Sequence, residues 1–270
     1  MIEERNSLLT DRISMLTAVI LLAYAMARII HTPELALTIS LPGFYFVYPL
    51  SINTAISVMA AGLTATGMDW IIRSHPAHAN KPTTEHWMLP TLTAFIIGAP
   101  LSILPNGTIW WLGFSFGAVL LTLVFIAEYV VVDPTASNYP IARAGLTSLS
   151  YALFFILVIS LRFAGIRLFL LVPILVISAG LISLRILHLD GTDRWDFPWA
   201  IGISIISAQL GAGLHYWPLT PIQYGLALAG PLYALTILSA NITENLPIRR
   251  SITTPAIILL LTWVTAIFVH

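Results

Sequence analysis

Residues 109–132 read IWWLGFSFGAVLLTLVFIAEYVVV, an almost unbroken apolar run. Glu128 is the only charged side chain in it. An α-helix needs about 20 consecutive apolar residues to cross the roughly 30 Å hydrocarbon core of a bilayer. The stretch therefore predicts a transmembrane helix.

Similar stretches fill most of the 270 residues. Hydrophobic residues make up 58% of the chain and charged residues 9%, whereas a soluble domain has about 25% charged residues. The mean hydropathy is +0.90. The sequence predicts an all-α fold, a polytopic transmembrane helical bundle that forms a single domain over residues 1–270.

Nine crossings are predicted, separated by short polar connectors. They lie near Ile13 to Ile30, Tyr45 to Ile72, Trp87 to Leu104, Ile109 to Val132, Ala142 to Leu161, Arg167 to Leu189, Pro198 to Tyr216, Thr220 to Ala240 and Pro255 to Phe268. The first, third and ninth are short, so eight crossings remain an alternative. We expect an interfacial segment over residues 33–42, and a first crossing that is an uncleaved anchor rather than a signal sequence.

Lysine and arginine residues in the connectors predict the orientation, because cytoplasmic loops of membrane proteins are enriched in them. With nine crossings and a cytoplasmic N-terminus, three of these residues fall outside: Arg28, Arg162 and Arg167. The others fall inside: Arg5, Arg12, Arg73, Lys81, Arg143, Arg185, Arg194, Arg249 and Arg250. The sequence thus predicts a multi-pass protein of the inner cell membrane with its N-terminus in the cytoplasm.

Several classes of function are excluded by composition. The chain has no cysteine, which removes disulfides, thiolate metal sites and cysteine nucleophiles. Its formal net charge is zero, so it has no basic patch for nucleic-acid phosphate and no nucleic-acid partner is expected. The histidines lie at span ends or in connectors, and the sequence predicts no haem and no other metal site.

Ionisable side chains in or beside the crossings are the candidate ligand-binding residues, because a charge is costly in hydrocarbon. Asp69 and Arg73 lie one turn apart near the inner end of the second helix, and Glu128 lies about a turn before the inner end of the fourth. The fifth helix and the connector after the sixth add Arg143, Asp190, Asp193, Arg194 and Asp196. Two interpretations stay open for these groups. In the first they pair with one another and with lipid headgroups, and in the second they line one inward-facing polar pocket.

Small residues at four-residue spacing predict close helix contacts, because they let two backbones approach each other in lipid. They are Ser57, Ala61 and Ala65 in the second helix, Ser204, Ala208 and Ala212 in the seventh, and Gly225 and Ala229 in the eighth.

Nine spans with acidic loops after helices two and six resemble the layout of the UbiA-type membrane prenyltransferases. The loop residues that carry the resemblance are Asp69, Asp190, Asp193 and Asp196. The resemblance implies that these aspartates bind Mg²⁺ and that three arginines bind a prenyl diphosphate: Arg73, Arg143 and Arg194. The chain departs from the family in the first loop, which has one carboxylate where the family has several. The stretch from His86 to Pro100 also resembles uncharacterised bacterial integral membrane proteins.

Three functions are compatible with the sequence. The first is a non-enzymatic scaffold or accessory subunit that holds a lipid, quinone or pigment in its bundle, with membrane lipid and other membrane subunits as partners. The second is a prenyltransferase of the UbiA type, or a degenerate relative, in which Mg²⁺ would be the cofactor. The third is a secondary transporter with Glu128, Asn53 and Gln209 near a central path, because Pro-interrupted helices in an inverted repeat are typical of transporters.

Overall fold

The computed structural model describes residues 2–30, 35–41, 44–50, 52–78, 82–190, 195–244 and 246–269. Within these residues, nine helices are long and apolar enough to cross a membrane. They are α1 (Ile2–Ile29), α2 (Ile52–Arg73), α3 (Thr84–Ile103), α4 (Thr108–Val131), α5 (Tyr139–Phe163), α6 (Leu168–Asp190), α7 (Phe197–Leu214), α8 (Pro221–Thr243) and α9 (Ile248–Phe268). The predicted helical membrane bundle is confirmed, with nine rather than eight such helices in the described part of the chain.

The prediction was wrong at the second crossing. An antiparallel hairpin of β1 (Leu35–Leu41) and β2 (Phe44–Leu50) precedes α2, with Leu35 opposite Leu50 and Leu41 opposite Phe44. The predicted span from Tyr45 and the predicted interfacial segment over residues 33–42 therefore both overlap strands. The seven residues of β2 are aromatic and β-branched for the most part, and such residues favour a strand. Hydropathy alone does not separate a short apolar strand from the start of a helix.

The described contacts divide the chain into two compact units, residues 1–136 and residues 137–270. In the first unit α2 packs against α1 and α3, and α4 packs against α3 and α1. The short connectors after α2 and α3 make α2, α3 and α4 antiparallel neighbours in sequence, and the contacts of α1 with α2 and α4 close the four helices into a bundle. The prediction of a single domain stays a prediction.

The second unit repeats this packing scheme with its first four helices. Here α6 packs against α5 and α7, and α8 packs against α7 and α5. The diagonal contact of the first unit, between α2 and α4, also has its counterpart between α6 and α8. The remaining helix, α9, packs against α8. Each unit is therefore built on a four-helix module with the same order of contacts.

In each module an arginine lies one residue before the end of the first helix, and it donates to backbone carbonyls at the end of the third helix. In the first module Arg28 donates to the carbonyl of Leu104 at 3.2 Å, just after α3, and its guanidinium lies over the ring of Trp110. The Trp110 ring donates in turn to the carbonyl of Leu101. Carbonyls in the last turn of a helix have no partner within that helix, and these side chains supply donors.

The second module has the same arrangement. Arg162 donates to the carbonyls of His215 and Trp217, at 2.6 and 2.8 Å, just after α7. Its guanidinium lies over the ring of Tyr224, whose hydroxyl donates to the carbonyl of Gly211 at 2.8 Å. We call Arg28 with Trp110, and Arg162 with Tyr224, the two arginine latches.

Two of the predicted small residues, Ser57 and Gly225, lie at close helix contacts. A Cβ atom on Gly98 of α3 would meet Ser57 of α2 and come within 3.1 Å of the Tyr24 ring. In the second unit a Cβ atom on Gly225 of α8 would lie 2.8 Å from the ring of Phe155. These glycines set how closely the helices approach each other.

Candidate functional site

A cluster of three ionisable side chains, two of them buried, lies where the start of α3 meets the end of α4. The turn at residues 104–107 makes these helices antiparallel, which brings the start of one beside the end of the other. His86 Nδ1 lies 3.1 Å from Oε2 of Glu128, and His86 Nε2 lies 3.1 Å from Oε1 of Glu85. One imidazole thus bridges two carboxylates, and we call these three residues the Glu–His–Glu cluster.

Exposure of the cluster changes in steps from one end to the other. The side chain of Glu128 is 0% exposed, that of His86 is 8% exposed and that of Glu85 is 21% exposed. Each of the three also makes further interactions with the protein. Glu85 lies in the first turn of α3, where the helix dipole stabilises a carboxylate.

Asp69 and Arg73 lie at the same end of the first unit and bind each other. Arg73 Nε donates to Asp69 Oδ2 at 2.7 Å, one turn away on α2. The hydroxyl of Thr83, the residue before α3, donates to the other oxygen of the same carboxylate. The predicted Asp69–Arg73 pair is therefore present, and through Thr83 it joins the end of α2 to the start of α3.

Aromatic and polar contacts surround this end of the unit. The ring of His75 lies edge-on to that of Tyr129, with centroids 4.4 Å apart. In the connector after α4, the side-chain hydroxyl and the backbone N–H of Thr135 both donate to Asp133. These hydrogen bonds hold the pKa of the Asp133 carboxyl below its usual value, because they favour its charged form.

The second unit contains an open groove of about 490 Å³. It follows the first half of α5, and the ring of Tyr233 reaches it from α8. The lining residues are Tyr139, Pro140, Arg143, Ala144, Thr147, Ser148, Tyr151 and Tyr233. The Tyr151 and Tyr233 rings are in contact, with centroids 4.8 Å apart.

The predicted candidates of the acidic connector fall into three groups. Asp190 is the last residue of α6, and Asp196 directly precedes α7, where its side chain makes no capping hydrogen bond. Asp193 and Arg194 lie outside the described residues. The predicted metal and diphosphate site of the prenyltransferase interpretation therefore stays a prediction, as does the shared polar pocket.

Glu85 and His86 are the site residues that the sequence interpretation missed. Both precede the predicted third crossing, which begins near Trp87, and Glu128 is the one member of the cluster among the predicted candidates. A signal was available, because His86 and Glu128 lie at nearly equal distances along the chain from the turn at Asn106. Antiparallel helices joined by a short turn place such residues at the same depth.

Arg185 also differs from its predicted surroundings. It was predicted at the cytoplasmic end of the sixth crossing, where its head group would reach the interface, yet only 1% of its surface is exposed. It makes interactions with the protein. A buried arginine is retained only with such partners, because its desolvation is costly.

The nine apolar helices of the described residues, with few charged side chains among them, define a polytopic membrane protein. Within that class the chain belongs to the family described as "Protein of unknown function (DUF5656)", whose profile matches residues 30–269. Searches of curated proteins and of solved structures give no significant match.

Proposed function

We propose that this chain is a non-enzymatic membrane protein that holds an acidic, amphipathic lipid in the groove along α5. The groove itself is the observation that supports the proposal. Its volume of about 490 Å³ lies in the range of roughly 300–1,000 Å³ that is usual for ligand sites. We propose further that the protein lies in the inner cell membrane and that lipid is its physiological partner.

The lining of the groove changes along its length in the way an amphipathic ligand requires. Tyr139 is the first residue of α5 and Arg143 follows one turn later, so both lie near the membrane interface. Tyr151 lies about three turns after Tyr139 on α5, about 18 Å deeper at 1.5 Å per residue. The groove thus reaches from the headgroup region to about the middle of the hydrocarbon.

Charge and polarity favour an acidic headgroup at the mouth. A guanidinium matches a phosphate group in geometry and charge. Thr147, one turn below Arg143, donates its hydroxyl to the Arg143 carbonyl, and deeper in the groove the wall includes the Tyr151 and Tyr233 rings. An acyl or isoprenoid chain would contact these rings while the headgroup meets Arg143.

The test compares lipid binding by the intact protein and by Arg143→Gln. Purified protein is incubated with phosphatidylglycerol or with phosphatidylcholine, and the bound lipid is counted by native mass spectrometry. We expect wild type to prefer phosphatidylglycerol and Arg143→Gln to bind it roughly 10- to 100-fold more weakly, the value of a charge-assisted hydrogen bond.

Arg249→Gln is the matched control, because Arg249 is an exposed arginine in the first turn of α9 and is predicted on the same side of the membrane. Equal affinity of the two variants for phosphatidylglycerol would contradict the proposal.

A second candidate function is transport, and the repeated four-helix module supports it. Internal structural repeats are a common feature of secondary transporters, and here both the order of helix contacts and the arginine latch recur. Solutes that raise the melting temperature of the detergent-solubilised protein can be tested for uptake into proteoliposomes. Accumulation of such a solute would favour transport, whereas stabilisation without uptake would count against it.

A further inference from the structure

We infer that the Glu–His–Glu cluster of the first unit is a proton-binding site that exchanges protons with the water at the start of α3. The inference concerns a different site from the groove, and it stands whether or not the groove binds lipid. Its ligand is a single proton, and its residues are Glu85, His86 and Glu128.

The two contacts of the His86 ring need more N–H or O–H donors than a neutral histidine supplies. Both ring nitrogens of His86 lie 3.1 Å from a carboxylate oxygen. A neutral imidazole has one N–H, so it donates to only one carboxylate. The second contact is a hydrogen bond only if the imidazole is protonated or if that carboxyl group carries the proton. The geometry therefore fits an array that holds one more proton than a neutral histidine between two ionised carboxylates.

Graded exposure supplies a path for that proton. Glu85 is partly exposed, His86 is nearly buried and Glu128 is fully buried. A proton from water binds Glu85, the Glu85 O–H passes its proton to Nε2, and the N–H at Nδ1 passes its proton to Glu128 Oε2. One proton enters and only O–H and N–H bonds are exchanged. Histidine is suited to the middle position because it changes charge near neutral pH.

The helices that pack against α3 or α4 in the first unit, α1 and α2, carry further charged groups near this end, as do the connectors after α2 and α4. They are Asp11 and Arg12 of α1, Asp69 and Arg73 of α2, His75 and His78 of the connector after α2, and Asp133 after α4. Asp69 and Arg73 bind each other, and Arg12 lies over the Trp70 ring. The dipole at the start of α3 disfavours an imidazolium, and the two carboxylates oppose that effect.

Comparison of the two modules shows that the shared packing does not need these residues. His86 is the third residue of α3, and the third residue of α7 is Trp199. Glu128 is fourth from the end of α4, and Ala240 is fourth from the end of α8. The module forms in the second unit without ionisable side chains at these two positions, which favours a functional role for them in the first.

Infrared difference spectroscopy tests the inference on the full chain in lipid. Spectra are recorded for a pH step across the neutral range, and the C=O stretch of a protonated carboxylic acid is followed. We expect a carboxyl band in wild type, its loss in Glu128→Gln, and its retention in Glu244→Gln, which removes an exposed carboxylate after α8. The band of wild type should shift in heavy water, since the proton is exchangeable.

Glu85→Gln is the second variant, because a partly exposed residue is easier to replace without loss of folding. It should abolish the band or slow its appearance after the pH step, as the entry point of the proton is gone. Helix content by circular dichroism and elution volume establish that each variant is folded. A band that is unchanged in both Glu85→Gln and Glu128→Gln, or its absence from wild type, would overturn the inference.

Discussion

At the scale of single residues, the carbonyls bound by two arginines explain why these arginines lie on the predicted outer side, where positive residues are few. Arg28, Arg162 and Arg167 are the positive residues predicted outside. Arg28 and Arg162 both donate to carbonyls at the end of a helix. Near the hydrocarbon an unsatisfied carbonyl is costly, so a donor at these positions stabilises the fold. Their positions are set by the helix ends they close.

Loss of the second latch should destabilise the protein measurably. Arg162→Met removes the donor to the carbonyls of His215 and Trp217. We expect the free energy of unfolding to fall by about 1.5–3 kcal/mol, the value of one hydrogen bond to a charged group. The exposed Arg167 is the control, and Arg167→Met should change stability by less than about 0.5 kcal/mol.

Unfolding by SDS in mixed micelles, followed by circular dichroism, measures both variants. Arg162→Lys should retain part of the stability, because lysine supplies a charge but lacks the planar fork by which two guanidinium nitrogens reach the carbonyls of His215 and Trp217. Equal unfolding curves for Arg162→Met and Arg167→Met would show that the latch contributes nothing.

At the scale of elements, the sequence predicts where the helices lie along the chain. It does not predict which side of each helix contacts its neighbours. The predicted spans three to eight agree with α3 to α8 to within three residues at both ends. The first and ninth spans agree at their ends, but α1 and α9 begin earlier than predicted. The agreement follows because each span is apolar enough and long enough for hydrocarbon. The hairpin was missed although Pro42-Gly43 separates two apolar runs, a pair of residues that marks a turn.

The candidate site was predicted only in part for a related reason. A helix in lipid is apolar on nearly every side, so the sequence carries little information about which face meets its neighbour. Glu128 could be recognised as an isolated charge, but its contact with His86 depends on the rotation of α3 and α4 about their axes. The arginine at the start of α5 was recognised as well, whereas the Tyr151–Tyr233 pair of its groove requires a contact between distant helices.

The contact of α2 with α3 gives a prediction at this scale. In Gly98→Ala the new methyl group would meet Ser57, whose Cβ lies 3.0 Å away, and Tyr24. The two helices must move apart, and we expect a loss of about 1–3 kcal/mol in the free energy of unfolding. Gly62→Ala has nothing within 4 Å and should be neutral or stabilising by up to about 1 kcal/mol.

A double variant separates overpacking from other causes. Ser57→Gly removes the side chain that the new methyl group meets, so it should recover part of the stability lost in Gly98→Ala. Thermal unfolding in one detergent compares the four proteins. If the double variant loses the sum of the two single losses, the two positions do not interact and the steric account fails.

At the scale of the whole molecule, the nine helices and the positions of the charged residues predict how the chain threads the membrane. Nine crossings place the turns after α3 and α7 on one side and the connector after α4 on the other. Neither of the first two connectors contains lysine or arginine, so both are expected outside. This orientation follows from the charge bias alone.

Cysteine labelling tests that orientation directly, because the natural chain has no cysteine. Single cysteines replace exposed connector residues in Asn106→Cys, Tyr216→Cys and Ser137→Cys. A membrane-impermeant maleimide should label the first two in intact cells and the third only after permeabilisation, while a permeant maleimide should label all three. Label at Ser137→Cys in intact cells with none at Asn106→Cys would reverse the orientation. Label at Asn106→Cys but not at Tyr216→Cys would mean that one of the helices from α4 to α7 does not cross, because four crossings return the chain to the same side.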